Sequence, residues 1–294
     1  MLILGAIIGT VIRHKEVVIL EDHFIKIPKN ILQNDKSLMI WCYIKESENV
    51  VGISKILFED IIISFGYTPN NRKGKINDKF KESFNYLLNN KYMKITTEDL
   101  DFKKILKIKT VNLNKDFIKL SFYELDKLYN YNGIYDVGRL LVILCYIKSK
   151  IYRRSKTEAL EHDKFEVCFP SISNISKNLN ISNNTVKEYI NELFVIGVIK
   201  FIKIDDFINA KGDIIYGGYI YCENTSTYEQ ELDGAKKFFE KKYISDGYKK
   251  AKIIDNRKLG GIKSSILRKI NNNTATDKDI IRLNKINKIL SKEK

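Results

Sequence analysis

Between Pro170 and Val198 the chain reads PSISNISKNLNISNNTVKEYINELFVIGV, a pattern that leaves few ways to fold. Ile172, Ile175 and Leu179 recur on one face at helical spacing, and Pro170-Ser171 ahead of them signals a helix start. Asn180-Ile181 break the run. Ser182 then offers an N-cap hydroxyl to a second helix whose apolar face is Val186, Ile190 and Leu193. Gly197 closes that helix as a C-cap residue. Ser182, Asn183, Asn184, Thr185, Lys187, Glu188 and Asn191 are left away from the core. The spacing predicts a helix-turn-helix with a polar second helix of the kind that enters a major groove. A helical hairpin with a merely solvated polar face fits the same spacing.

An internal repeat bears on the number of domains. FIKI at Phe24–Ile27 matches FIKL at Phe117–Leu120, and IWCYIK at Ile40–Lys45 matches ILCYIK at Ile143–Lys148. A short strand leading into an apolar helix thus occurs twice, about a hundred residues apart, which suggests duplication and not a solenoid. Chance similarity in a sequence rich in Ile and Lys is the competing explanation. If the second copy carries a helix-turn-helix, so should the first. Val51–Phe65, with Ile53, Ile56, Leu57 and Ile61 on one side, is the expected leading helix. A basic loop, Asn70–Lys75, takes the place of the tight turn. The helix Ile76–Asn90 follows, with Phe80, Phe84, Leu87 and Leu88 inward.

Each copy ends in strand-like segments. They are Tyr92–Thr97 with Ile105–Leu113, and Val198–Ile204 with Ile214–Tyr221. A two-stranded ribbon directly after a recognition helix is a wing. In the second ribbon, alternation puts Lys200 on one side and Lys203 on the other, with Lys211 in the loop between strands.

Charge points the same way. Lys and Arg number 51 against 36 Asp and Glu, a net charge of +15 that favours polyanion partners, nucleic acid first. From Ser226 onward there are 18 basic residues against 9 acidic ones, so a basic helical tail is expected. Gly260-Gly261 should break that tail, and Asp277–Leu290 should form its last helix. The four cysteines lie far apart in apolar runs without metal-ligand spacing, and are read as buried, reduced and structural. MLILGAIIGTVI is too short to span a membrane and lacks a signal-peptide pattern, so it is read with Val17–Leu20 as a strand pair.

Catalytic sets are not found. Phosphate-cradling and nucleophile-elbow motifs are missing, and His14, His23 and His162 stand apart. No enzyme activity, no cofactor and no metal site are expected. The chemistry left is recognition. Asn183, Asn184 and Lys187 suit base edges, whereas Lys200, Lys203, Lys211, Arg72, Lys73 and Lys75 suit phosphates.

FIKIPKNIL, followed by an apolar helix and a helix-turn-helix, resembles the winged-helix replication proteins of phages and plasmids of Gram-positive bacteria. The doubled unit is similar to plasmid replication initiators that bind repeated origin sequences. The resemblance covers roughly residues 20–225 and implies origin recognition and recruitment of the host's helicase-loading machinery. The longer first turn departs from the family pattern. It leaves open whether that copy reads DNA or mediates dimerisation.

The expected architecture is mainly α with small β wings. Residues 1–115 would form a first winged-helix domain, 116–225 a second, and 226–294 a basic tail. The expected partner is double-stranded DNA, with host replication proteins and a homodimer beside it, in the cytoplasm and without a membrane. A transcriptional regulator and a protein-binding scaffold are the alternatives from other functional classes.

Overall fold

Alternating side chains make FIKI and FIKL strands, and in the computed structural model the two repeats are each other's partner. The structure describes residues 23–97, 100–154, 164–209, 214–215, 217–250, 253–272 and 274–291. The strand pair expected before Asp22, together with His162 and Lys211, lies outside the described residues. The described chain is mixed α/β, about 50% helical, with ten helices and small sheets.

The chain opens with β1 (Phe24–Pro28), a 3-10 turn (Lys29–Ile31) and α1 (Asp35–Glu46). Next come β2 (Ile53–Ile56), α2 (Phe58–Ser64), α3 (Ile76–Asn89), β3 (Met93–Ile95) and β4 (Leu106–Thr110). Strands β2, β3 and β4 form one antiparallel sheet in the order β2-β4-β3. The second repeat begins with β5 (Phe117–Ser121), α4 (Phe122–Tyr129) and α5 (Val137–Lys150). It continues with α6 (Ile172–Leu179), α7 (Asn183–Val195) and β6 (Ile199–Lys203). The two-residue strands β7 (Phe207–Ile208) and β8 (Ile214–Ile215) precede β9 (Tyr219–Glu223). The chain ends with α8 (Tyr228–Ser245), β10 (Lys249–Lys250), α9 (Ile253–Asn271) and α10 (Asp277–Ser291).

Contacts divide these elements into two compact units. Met1–Ser149 joins Ile175–Val198 in unit 1, and Lys150–Asn174 joins Ile199–Lys294 in unit 2.

In unit 1, β1 and β5 pair antiparallel with Ile25 opposite Leu120, Lys26 opposite Lys119 and Ile27 opposite Ile118. Each residue therefore faces the repeat counterpart of its mirror position, so the pairing is reciprocal like that of an isologous interface. Ile25, Ile27, Ile118 and Leu120 are buried together on one face. The Trp41 indole donates to the Lys26 carbonyl at 2.7 Å and ties α1 to this ladder. Cys42 and Cys145, also repeat counterparts, are both fully buried. One part of the second repeat is longer than in the first: where the first has the 3-10 turn, the second has α4, held by a Ser121–Glu124 capping box, between strand and long helix. The Glu124 carboxylate accepts from Lys148 at 2.5 and 2.7 Å, with 4% and 7% of the Lys and Glu side chains exposed.

The expected helix Val51–Phe65 is divided. Ile53–Ile56 is strand β2, entered through Gly52 at φ 73° and buried at alternate positions, and the helix starts only at Phe58. In the strand the Ser54 hydroxyl points inward and donates to the Ile44 carbonyl at 2.6 Å in the buried space under α1. Ile53 and Ile56, three residues apart, would share one face of a helix; in β2 they leave opposite faces, and the pairing with β4 holds the segment extended.

In unit 2, Cys168 bridges to Tyr221, and β9 pairs with β6. The order 168, β9, β6 repeats that of β2, β4, β3, with the first strand reduced to a single bridge. The expected strand Ile214–Tyr221 is also divided, since Ile214-Ile215 turn back onto β7 and β9 starts at Tyr219. Gly217 marks the change of direction, where a Cβ would stand 1.9 Å from the Ile204 carbonyl oxygen. Its amide donates to the largely buried Asp206 at 2.7 Å. Leu232 and Ala235 of α8 pack with Val167, Ile204, Phe207, Ile220 and Cys222, so α8 belongs to the core of this unit. Helix α9 runs straight through Gly260-Gly261, against the expected break. Two glycines cost about 1 kcal/mol each in a helix, and Ile262 and Ile266 hold the segment by packing with Leu283 of α10.

Candidate nucleic-acid interface

The turn between α6 and α7 is built from local chemistry. Ile175 is buried and Ile172 and Leu179 are half-buried, so α6 has one inward face. Asn180 ends it with φ at 54°, a left-handed conformation that asparagine tolerates better than most residues. The Ile181 amide donates to the Ser176 carbonyl at 3.1 Å, and the Ser176 hydroxyl donates to the Ile181 carbonyl at 2.5 Å. Ser182 caps α7 by accepting from the Thr185 amide at 3.2 Å. At the other end Gly197 takes φ 78°.

Helix α7 is sharply two-faced. Val186, Tyr189, Ile190 and Leu193 are buried, while Asn183, Asn184, Lys187, Glu188 and Asn191 are exposed and Thr185 is half-buried. Five polar side chains therefore share a capped surface with amide, ammonium and carboxylate groups. Tyr189 was not among the expected inward residues. Its hydroxyl accepts from the Asp136 amide at 3.1 Å, and its ring meets Tyr135 edge-on at 5.0 Å, so it fixes α7 against the start of α5.

The other expected residues fall at separate places. Arg72, Lys73 and Lys75 are exposed in the loop that enters α3. That loop is held by hydrogen bonds: Asn77 Oδ1 accepts from the Asn70 amide at 2.6 Å, and Asp78 accepts from the Gly74 amide at 2.7 Å. Lys203 is exposed at the end of β6, whereas Lys200 is half-buried with its Nζ 5.1 Å from the Tyr228 ring centre. Three residues apart on one strand, the two lysines leave opposite faces, so the ribbon does not bring them together. Arg153 and Arg154, a basic pair in the sequence, are held in ion pairs with Glu223 and Glu231.

Arg139 escaped sequence reasoning because nothing in VGRLLVILCYIK distinguishes it from a solvated helix residue. In unit 1 it lines two adjoining clefts together with Gln33 and Asp35. One, of about 720 Å³, is bounded by Lys36, Tyr67, Lys79 and Glu82; the other, of about 330 Å³, by Asn180, Ser182 and Thr185. The starts of α3 and α7 thus open onto clefts with a shared wall. In the larger cleft Tyr67 donates to Asp136 at 2.5 Å and accepts from Lys36 at 2.9 Å. Burial first, and then the Asp136 carboxylate, push the Tyr67 phenol well above its ordinary pKa, so it stays a neutral donor.

Among the described residues no helix is long and apolar enough to cross a membrane. No protein-family model matches the chain, and no curated protein does so either.

Proposed function

We propose that this chain is a duplex-DNA-binding protein built from two tandem winged helix-turn-helix modules and a basic helical C-terminal segment. Its role in this reading is to initiate DNA replication on a phage or plasmid, working in the cytoplasm with host helicase-loading proteins. The observation that supports the reading best is α7, a capped helix with Asn183, Asn184, Lys187, Glu188 and Asn191 on its solvent face. Asparagine amides pair with adenine and lysine with guanine O6 and N7, so such a face suits direct readout in the major groove. Arg72, Lys73, Lys75 and Lys203 would serve as phosphate contacts, which position a protein without reading sequence. The α1-β2-α2-α3-β3-β4 order with the sheet β2-β4-β3 supports assigning the first repeat to the same class of module.

Selection from a random duplex library, followed by binding titrations, tests the reading. Asn183→Ala with Lys187→Ala should weaken the selected site by about tenfold or more, as losing base contacts worth 1–3 kcal/mol each predicts. Binding to random duplex should change far less. Equal losses on both would remove α7 as the reading helix, and no duplex binding even at low salt would favour a protein-binding scaffold. Plasmid maintenance that depends on repeats of the selected site would separate an initiator from a transcriptional regulator.

A further inference from the structure

One face of unit 2 carries aromatic rings that its core does not use. Phe169 is 59% exposed and Phe238 39%, although phenylalanine is among the residues most often buried. They belong to a continuous row. Phe169 meets Phe239 edge-on at 5.0 Å, Phe239 adjoins Phe238 at 5.9 Å, and Phe238 adjoins Phe165 at 6.5 Å. Phe165 lies directly on α8 at Gly234, where an added Cβ would stand 2.2 Å from the ring.

The row has a basic border. Lys237, Lys241 and Lys242 are exposed on α8, the last two one turn beyond Phe238 and so on its side of the helix. Glu240 lies beside them in an ion pair with Lys250 at 2.8 Å.

Lysines alone suit any polyanion, but exposed rings discriminate. A duplex keeps its bases stacked on one another and offers phosphates only. A single strand offers phosphates and free base faces together, and stacking on aromatic side chains is how sequence-tolerant single-strand sites hold it. We propose that this face of unit 2 binds single-stranded nucleic acid, with bases stacked on Phe169 and Phe238 and the backbone held by Lys237, Lys241 and Lys242. The site shares no residue with α7 and does not depend on the duplex reading.

The test is fluorescence anisotropy of the full chain with a labelled oligothymidylate, which forms no duplex, beside a labelled duplex. Phe169→Leu with Phe238→Leu keeps apolar volume and removes stacking. It should weaken oligothymidylate binding by tenfold or more, since each stacked base contributes about 1–3 kcal/mol. Duplex affinity should stay within about twofold, as for ordinary surface changes. Phe169→Tyr with Phe238→Tyr should retain single-strand binding. Three results would overturn the proposal: no oligothymidylate binding by the unaltered chain at low salt, unchanged binding by the leucine variant, or equal losses on single strand and duplex. A dimer that the leucine variant turns into a monomer without loss of oligothymidylate binding would assign the face to a second copy instead.

Discussion

Lys26 and Lys119 stand opposite one another at the centre of the β1–β5 ladder, and each reaches over a ring on the other's strand. Lys26 Nζ lies 4.7 Å from the centre of the Phe117 ring, and Lys119 Nζ lies 4.5 Å from that of Phe24. Like charges directly opposite in a ladder repel. Turning each ammonium onto the ring diagonal to it relieves that repulsion, and Lys26 Nζ also donates to the Leu113 carbonyl at 3.0 Å.

Two double-mutant cycles test the two ring contacts. Lys26→Ala with Phe117→Ala, and Lys119→Ala with Phe24→Ala, should each return a coupling of about 0.5–1 kcal/mol in urea denaturation. A coupling near zero in both would show that the rings only happen to lie beneath the charges. Lys119→Glu should raise the midpoint by placing an opposite charge before Lys26.

The Glu124–Lys148 pair is closed to solvent, so breaking it from one side should be costly. Glu124→Gln keeps the capping geometry but leaves the ammonium without its counter-charge, and a loss of about 3–5 kcal/mol is expected. Glu124→Gln with Lys148→Met should recover much of that loss. If the single and double variants unfold at the same urea concentration, the pair contributes through capping alone.

Alkaline pH should loosen the protein from about pH 9 upward. Burial first, and then the neighbouring Cys222 thiol, push Cys168 from the ordinary 9.0 up to about 12. Burial first and then Glu231 do the same for Cys222. A folded-state pKa above the unfolded one means stability fully present below pH 9.0 and lost as pH rises towards about 12. Urea midpoints should fall over that window, and Cys168→Ala with Cys222→Ala should flatten the slope. At pH 8 thiol reagents should react slowly with all four buried cysteines until the chain is unfolded.

Where the C-terminal segment is cut should matter. Ending the chain before Tyr228 removes α8 and uncovers Ile220 and Cys222, so insoluble or unfolded protein is expected. Ending it after Lys250 removes only α9 and α10 and keeps the β7–β10 pairing. That shorter chain should fold and bind duplex with a shallower dependence on salt, because fewer phosphate contacts release counterions. An unchanged slope in filter-binding titrations would exclude α9 and α10 from the DNA contact.

The helix-turn-helix elements were legible in the sequence because their signals are local. Ser182, Asn180 and Gly197 act on backbone groups within one turn of themselves, and Val186, Ile190 and Leu193 keep a single period. The likeness of FIKI to FIKL was legible in the sequence, but not their pairing. That FIKI should lie against FIKL depends on residues about ninety positions apart, and no local rule carries it. Ile53–Ile56 was misread because Ile at i and i+3 reads as one face of a helix, and the pairing with β4 that makes it a strand is remote in sequence. Tyr189, Arg139 and the Phe169–Phe238 row were missed for a related reason. Whether a ring is buried, or which wall a guanidinium stands in, is set by neighbours remote in sequence.

Carrying both strands of a reciprocal ladder on one chain has a consequence for how the molecule can change. Between two identical subunits, every substitution at such an axis acts twice, and a lysine at the centre must meet a lysine. Here each side is encoded separately, so position 119 can be altered while position 26 is kept. The ladder is also closed within the molecule, and its integrity does not vary with protein concentration. A full helix, α4, on one side against a 3-10 turn on the other is what this freedom allows: a two-fold arrangement at the strands with unequal connections beside them.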